Sequence, residues 1–218
     1  YYSRKTTDDI LDASISATSG FGSTKINIGE LTNKGIEILL NGAVIDKKDW
    51  KWDLTLNYSK NESNAVNLGT NASGAAVDFQ NLDESRVRRE RIRHVVGQPL
   101  GMIAGYKHKT DSKGQKIYTA EGYPVATAGY ETIAEGRHPV SAGLNSALRY
   151  KNFTFEFLID VRKGGSLVSG TDYFAYSWGL QKETLKGRAG DLKVSGILDN
   201  GNPLSVTVPV DKIDDYYA

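Results

Sequence analysis

Trp50-Lys51-Trp52-Asp53-Leu54-Thr55-Leu56-Asn57-Tyr58-Ser59 decides the fold. Trp50, Trp52, Leu54, Leu56 and Tyr58 share one parity; Lys51, Asp53, Thr55, Asn57 and Ser59 share the other. Side chains alternate across a strand, so this segment has one apolar and one polar face. Upstream, the polar turn Asp46-Lys47-Lys48-Asp49 joins it to a second alternating run, Lys34 to Asp46. There Ile36, Ile38, Leu40, Gly42 and Val44 fall on one face, and Glu37, Leu39, Asn41, Ala43 and Ile45 on a mixed one.

The same design returns at Val140 to Arg162. Leu144, Leu148 and Tyr150 alternate with Asn145, Ala147 and Arg149, with Ser146 interrupting the apolar parity. Lys151-Asn152 is a two-residue turn. Phe153, Phe155, Phe157, Ile159 and Val161 then alternate with Thr154, Glu156, Leu158, Asp160 and Arg162, Leu158 being out of phase.

Parity gives these hairpins a common orientation. Both tight turns lie at one end of the sheet, and the long segments Thr6–Asn33, Glu62–Pro139 and Lys163–Ala218 lie at the other, unless they contain an even number of further strands. Short turns at one end and long loops at the other are the pattern of outer-membrane barrels. Strands of about 11 residues, at ~3.3 Å each and tilted ~45°, span roughly 25 Å, the height of the apolar band. Trp50, Trp52, Tyr150, Phe153 and Phe155 cluster at the short-turn end, which makes them a candidate interfacial girdle.

Composition bounds the function. The 218 residues carry 27 Lys+Arg against 26 Asp+Glu and no cysteine. Near-neutrality argues against an electrostatic nucleic-acid binder. The cysteine count excludes disulfides, thiolate metal sites and a cysteine nucleophile. Mean hydropathy is −0.42, and no run approaches the roughly 20 apolar residues of a membrane helix. That does not make the chain soluble, because barrel strands alternate and look polar on average. The ends, Tyr1-Tyr2-Ser3 and Tyr216-Tyr217-Ala218, carry neither signal peptide nor initiator methionine and read as cuts through a longer protein.

Beyond the hairpins, Thr6 to Asn33 reads as loop with a short helical turn near Thr7–Asp12, and Asp172 to Leu185 reads as helical. His94, His108 and His138 lack paired ligand spacing and read as polar loop residues. Asp111-Ser112-Lys113-Gly114-Gln115-Lys116-Ile117 lacks the carboxylates of a calcium loop and reads as a turn. Arg86-Val87-Arg88-Arg89-Glu90-Arg91-Ile92-Arg93 reads as a loop element balanced by acidic groups such as Asp78, Asp83 and Glu84. The triplets at Asn61, Asn71 and Asn152 carry no weight as glycosylation sites. Tyr106, Tyr118, Tyr123, Tyr130 and Trp178 fall in the long segments and are candidate extracellular contacts for a ligand or partner. No Gly-x-Ser-x-Gly elbow is present, so nucleophilic catalysis is not expected, and no catalytic residue, metal or cofactor is assigned.

An ordered set of short stretches resembles the late barrel region of the SusC/RagA family of TonB-dependent transporters. The set is Tyr2-Ser3-Arg4-Lys5-Thr6-Thr7-Asp8-Asp9-Ile10, Gly20-Phe21, Asn27-Ile28-Gly29-Glu30, Asn33-Lys34-Gly35-Ile36-Glu37-Ile38 and the Trp50–Tyr58 strand. It continues with Gly97-Gln98-Pro99-Leu100, Gly105-Tyr106, Arg149-Tyr150-Lys151-Asn152-Phe153, Gly179-Leu180 and Glu183-Thr184-Leu185-Lys186-Gly187-Arg188. The resemblance implies a Gram-negative outer-membrane barrel of about 22 strands. Tyr1–Lys5 would be the end of one of them, and Lys34–Asp46, Trp50–Asn61, Val140–Lys151 and Phe153–Lys163 would be four more. The whole of 1–218 would be part of one barrel domain, with plug and final strands elsewhere. It further implies nutrient uptake (glycans or peptides) beneath a SusD-like surface lipoprotein, driven through TonB by other parts of the protein. The remaining barrel strands and outer-membrane lipid would be its neighbours. The acidic loop that many members carry near Asp111 is largely replaced, which puts an inherited calcium site in doubt.

A secreted β-sandwich carbohydrate-binding module is the alternative. It requires Trp50, Trp52 and Phe155 to be buried between two sheets. A glycoside hydrolase would need two carboxylates at a set separation, and no motif supports one.

Overall fold

The computed structural model describes residues 1–14, 23–71, 73–84, 90–190 and 192–217. It divides into two compact units: residues 1–83, 92–103 and 134–166, and residues 84–91, 104–133 and 167–218. Gly20-Phe21 and Arg86, Arg88 and Arg89 lie outside the described residues.

The strands in chain order are β1 Tyr2–Ser14, β2 Ser23–Asp46, β3 Trp50–Asn67, β4 Phe79–Glu84, β5 Arg91–Val95, β6 Met102–Gly105, β7 Glu131–Glu135, β8 Val140–Tyr150, β9 Phe153–Lys163, β10 Lys193–Ile197 and β11 Pro203–Thr207. The first unit is built on a five-stranded antiparallel sheet, β1-β2-β3-β8-β9. β9 has the limits expected from its alternation. Both tight turns sit together at one end: Trp50 pairs with Tyr150, and Lys151 N donates to Asp49 O at 2.9 Å. Lys151 takes φ +52°, the left-handed conformation that two-residue hairpin turns use. Among the described residues, the segment between β3 and β8 contains four strands, an even number, in keeping with the parity of the hairpins. β4 to β7 form a separate sheet in chain order.

Three expectations are corrected. Thr6 to Asn33 is not loop with a helical turn; β1 runs on to Ser14 and pairs with a β2 that starts at Ser23. Polar residues conceal this ladder from a periodicity reading, since backbone hydrogen bonds need no apolar face. Asp8, at φ +57°, absorbs an irregularity between Thr7 and Ile10. Next, a bulge between Ala43 and Ile45 changes the phase of β2, so Ile45 lies opposite Trp52 and joins the apolar face; a bulge adds one residue to one strand. Finally, Asp172 to Leu185 is not one helix. Helix α1 spans Gly170–Ser177, capped by the Ser169 hydroxyl accepting from Asp172 N at 3.1 Å. A separate 3-10 turn covers Lys182–Leu185. Gly179, at φ +69°, stops α1, and Arg188 holds the break by donating to Gly179 O at 2.6 Å and Thr184 O at 3.1 Å.

The first unit buries little. Ala65 and Leu68 form a small cluster with Leu31, Val77 and Leu100. Gln98 O accepts from Ala65 N and Ser63 O from Leu100 N, at 3.1 and 3.0 Å, which lays residues 97–100 along the far end of β3. The Tyr2 ring lies over Gly35, where any Cβ would collide with it, and its hydroxyl donates to Asn61 Oδ1 at 3.1 Å.

The second unit has an ordinary core. Val194, Val208 and Ile213 are buried, with Tyr118, Leu192, Val206, Tyr216 and Tyr217 packed against them. The β10–β11 hairpin supplies Val194, and helix α2 (Ile213–Tyr217) supplies the rest of one wall. Tyr118 N donates to Ile197 O at 2.9 Å, tying residues 116–118 to the hairpin.

Candidate functional site

The outward face of the strip follows from register. Ile38, Tyr58, Ala142 and Val161 form one row across four strands; Leu40, Leu56, Leu144 and Ile159 form the next. Then come Gly42, Leu54, Ser146 and Phe157, and after the bulge Ile45, Trp52, Leu148 and Phe155. Trp50, Tyr150 and Phe153 end the series beside the turns. No charged side chain interrupts these rows. The opposite face carries Glu37, Asp53, Lys51, Arg149, Glu156 and Asp160, with ion pairs Lys51–Asp53 at 3.4 Å and Arg162–Asp160 at 3.3 Å.

The apolar rows are uncovered. Leu56 is 42% exposed, Trp50 43% and Phe155 64%, and Trp52 is half-buried. A sandwich would bury these rings, so the packing required by that alternative is not found. The five candidate girdle residues do share one end of one face. Trp50 and Tyr150 stack at 4.3 Å between centroids, Phe155 lies 5.7 Å from Phe157, and Phe153 is open. Trp52 Nε1 donates to Ser146 Oγ at 3.0 Å. That bond explains the apparent fault in the β8 alternation: Ser146 is the partner of a polar indole edge on an apolar face.

The second unit holds a cleft of about 540 Å³ lined by Tyr106, Lys107, His108, Tyr123, residues 124–126, Asp215, Tyr216 and Tyr217. Tyr106 and Tyr123 are thus brought together. Tyr130 backs Tyr106 at 4.7 Å and carries the Arg91 guanidinium on its ring at 4.7 Å. Tyr118 stands behind the cleft, edge-on to His108 at 4.8 Å. Trp178 is not part of it; this ring stacks on Phe174 at 5.3 Å. Sequence reasoning did not single out Lys107, His108, Asp215, Tyr216 or Tyr217 as cleft residues. Burial raises the Tyr216 phenol above its ordinary pKa, and does the same to Tyr217.

The histidines act as loop staples. His108 Nε2 bonds to Ile117 O at 2.8 Å, His138 Nδ1 to Gly164 O at 2.6 Å, and Gly101 N donates to His94 Nδ1 at 3.3 Å. Asp111 closes a turn, its carboxylate accepting from Lys113 N and Gln115 N, both at 2.8 Å. Of the arginine run, Arg93 is buried against Phe79 at 4.9 Å, and burial lowers its pKa. Among the described residues, no three His, Cys, Asp or Glu side chains gather to hold a metal.

Five antiparallel strands, charged on one face and apolar on the other, define a strip of transmembrane β-barrel wall. A comparison with protein-family models finds no match to the chain. It is 26% identical over 190 residues to TonB-dependent receptor P3 of Formosa agariphila, covering 78% of this chain and 19% of that protein. It is 31% identical over 167 residues to TonB-dependent receptor SusC of Bacteroides thetaiotaomicron, covering 72% of this chain and 16% of that protein. The RagAB peptide transporter has the same local fold, with a TM-score of 0.58 at 19% identity over 80% of this chain and 20% of that one. The chain spans about a fifth of the length of the first curated relatives it matches. These likenesses, to TonB-dependent receptors that include SusC and in fold to the RagAB transporter, are consistent with a fragment of the SusC/RagA type.

Proposed function

We propose that this chain is wall and loop of an outer-membrane importer that takes up glycans or peptides with a SusD-like lipoprotein and draws its energy from TonB through other parts of the protein. The observation that carries the reading is the uncovered apolar face, free of charge over a height that matches a bilayer. In water such a face would aggregate; in lipid it is the solvent-facing side. β1 and β9 are the sheet's edges, and a bilayer requires them to be paired by neighbouring strands.

The five girdle aromatics sit at the interface on the short-turn side. The tyrosine-lined cleft faces the outside and receives substrate. Tyrosine rings offer flat apolar surface with a polar tip, while Lys107, His108 and Asp215 offer hydrogen bonds of both kinds. That combination suits a sugar ring or a peptide backbone. The role is transport, and the residues bind rather than react.

Two measurements test this. Trp50 and Trp52 fluorescence in the full-length transporter, reconstituted with brominated lipids, should be quenched; quenching by aqueous iodide alone would refute the wall. Tyr106→Ala with Tyr216→Ala should weaken binding of the imported oligosaccharide or oligopeptide, leaving barrel formation intact.

A further inference from the structure

We infer that the outward face ends in a seat for the phosphorylated head group of an outer-leaflet lipid, formed by Lys34 and Lys60 with Lys5 and Lys163 beside it. The inference rests on the barrel-wall reading. From Trp50 to Lys60 the strand advances roughly 33 Å, or about 23 Å across a membrane at ~45° tilt. The apolar band of such barrels is about 25 Å tall. Lys60 therefore emerges at the far edge of the band whose near edge the Trp50 row marks.

Register sets the charges side by side. Lys60 pairs through Val140 to Lys163 in one row, and Lys34 lies between Ser3 and Glu62 in the next. Lys5 follows one row further out, opposite Thr32. Two carboxylates share this rim: Glu30 pairs with Lys5 at 2.9 Å and Glu62 with Lys60 at 2.8 Å. Lys34 and Lys163 form no ion pair among the described residues, so the rim keeps an excess of two positive charges. Tyr1, Lys34, Gly35, Ile36, Lys60 and Glu62 line an open groove of about 270 Å³ there.

The chemistry follows from position. Lysine stems lie along apolar surface while the ammonium reaches the interface. An ammonium has three donors, so Lys60 can hold Glu62 and still meet a phosphate oxygen. Basic groups at this height attract anionic lipid head groups. Ile36 lies beside Lys60 in its own row and Ile38 one row below, each 44% exposed, a track for acyl chains. A free phosphate has no use for that track, so the ligand is a lipid phosphate.

The test uses full-length transporter in detergent, with diphosphoryl lipid A, dephosphorylated lipid A and inorganic phosphate as probes. Wild type should retain the phosphorylated lipid over the dephosphorylated one. K34Q/K60Q should lower that retention on the order of tenfold, and K34R/K60R should restore it. Equal retention of the two lipids by wild type, or displacement by inorganic phosphate alone, overturns the seat; this arm needs no variant to fold. Heat-modifiable migration is read in parallel. A wild-type protein lacking it refutes the barrel itself, whereas its presence with equal lipid retention refutes only the lipid seat.

Discussion

The strip and the loop unit dispose of their apolar residues by opposite rules. In the loop unit Val194, Val208 and Ile213 are buried against each other and ringed by tyrosines. In the strip Leu40, Leu56, Ile159 and Phe155 point outward with nothing on them. The difference is one of solvent. The loop unit behaves as a small water-soluble core, where burial removes apolar surface from water. The strip has no such core, because its apolar face is matched to hydrocarbon and its polar face to a wet lumen. One chain can hold both designs because strands and loops meet different media.

That contrast can be broken at its core first. Ile213→Ala should cost the loop unit about 2–5 kcal/mol, the usual range for emptying a buried aliphatic site. Limited proteolysis should speed up within residues 104–133 and 167–218; unchanged cleavage would show that no real core exists there. On the strip, Leu56→Arg should cost roughly 2–4 kcal/mol in vesicle unfolding titrations, because a charge on the lipid face is penalised near mid-depth. Thr55→Arg, opposite Asn41 and Asn145 on the polar face, should cost far less. Equal costs would remove the distinction between the faces. Trp52→Phe loses the bond to Ser146 Oγ and should cost about 1 kcal/mol; pairing it with Ser146→Ala in a double-mutant cycle isolates that bond.

The smallest effect is in pH. Burial raises the Tyr216 pKa in the folded unit. A raised folded value means its contribution is fully present below the unfolded pKa of about 10 and is lost as pH rises through the folded value. Tyrosinate absorbance should show late-titrating phenols, and Tyr216→Phe should flatten the alkaline loss of stability. Ordinary titration of every tyrosine would mean that this wall of the cleft is wet.

Much of the strip was legible because alternation is a local property. Phe153–Lys163 needed only its own residues to be recognised, and Trp50–Ser59 likewise. Ile45 was assigned to the wrong face because a bulge is visible only against the opposing strand, here Trp52. Ser146 looked like a fault until its bond to Trp52 was seen. The β1–β2 extension was hidden because its polar residues carry no face signal.

The cleft was less legible. Tyr106 and Tyr123 were recognised as exposed-loop aromatics, but Tyr216 and Tyr217 read as a loose end. They come together because residues 116–118 hydrogen-bond to the β10–β11 hairpin and Ile213 anchors α2 on the same core.

Sequence alone determined the two hairpins, which of their faces is apolar and at which end the short turns lie, since each depends on neighbours one or two residues apart. Tertiary structure decided the bulge phase, the partner of Ser146, the gathering of four lysines at one rim and the lining of the tyrosine cleft. Each of those depends on which distant segment lies opposite, and register between strands is set by pairing rather than by the order of residues along either one.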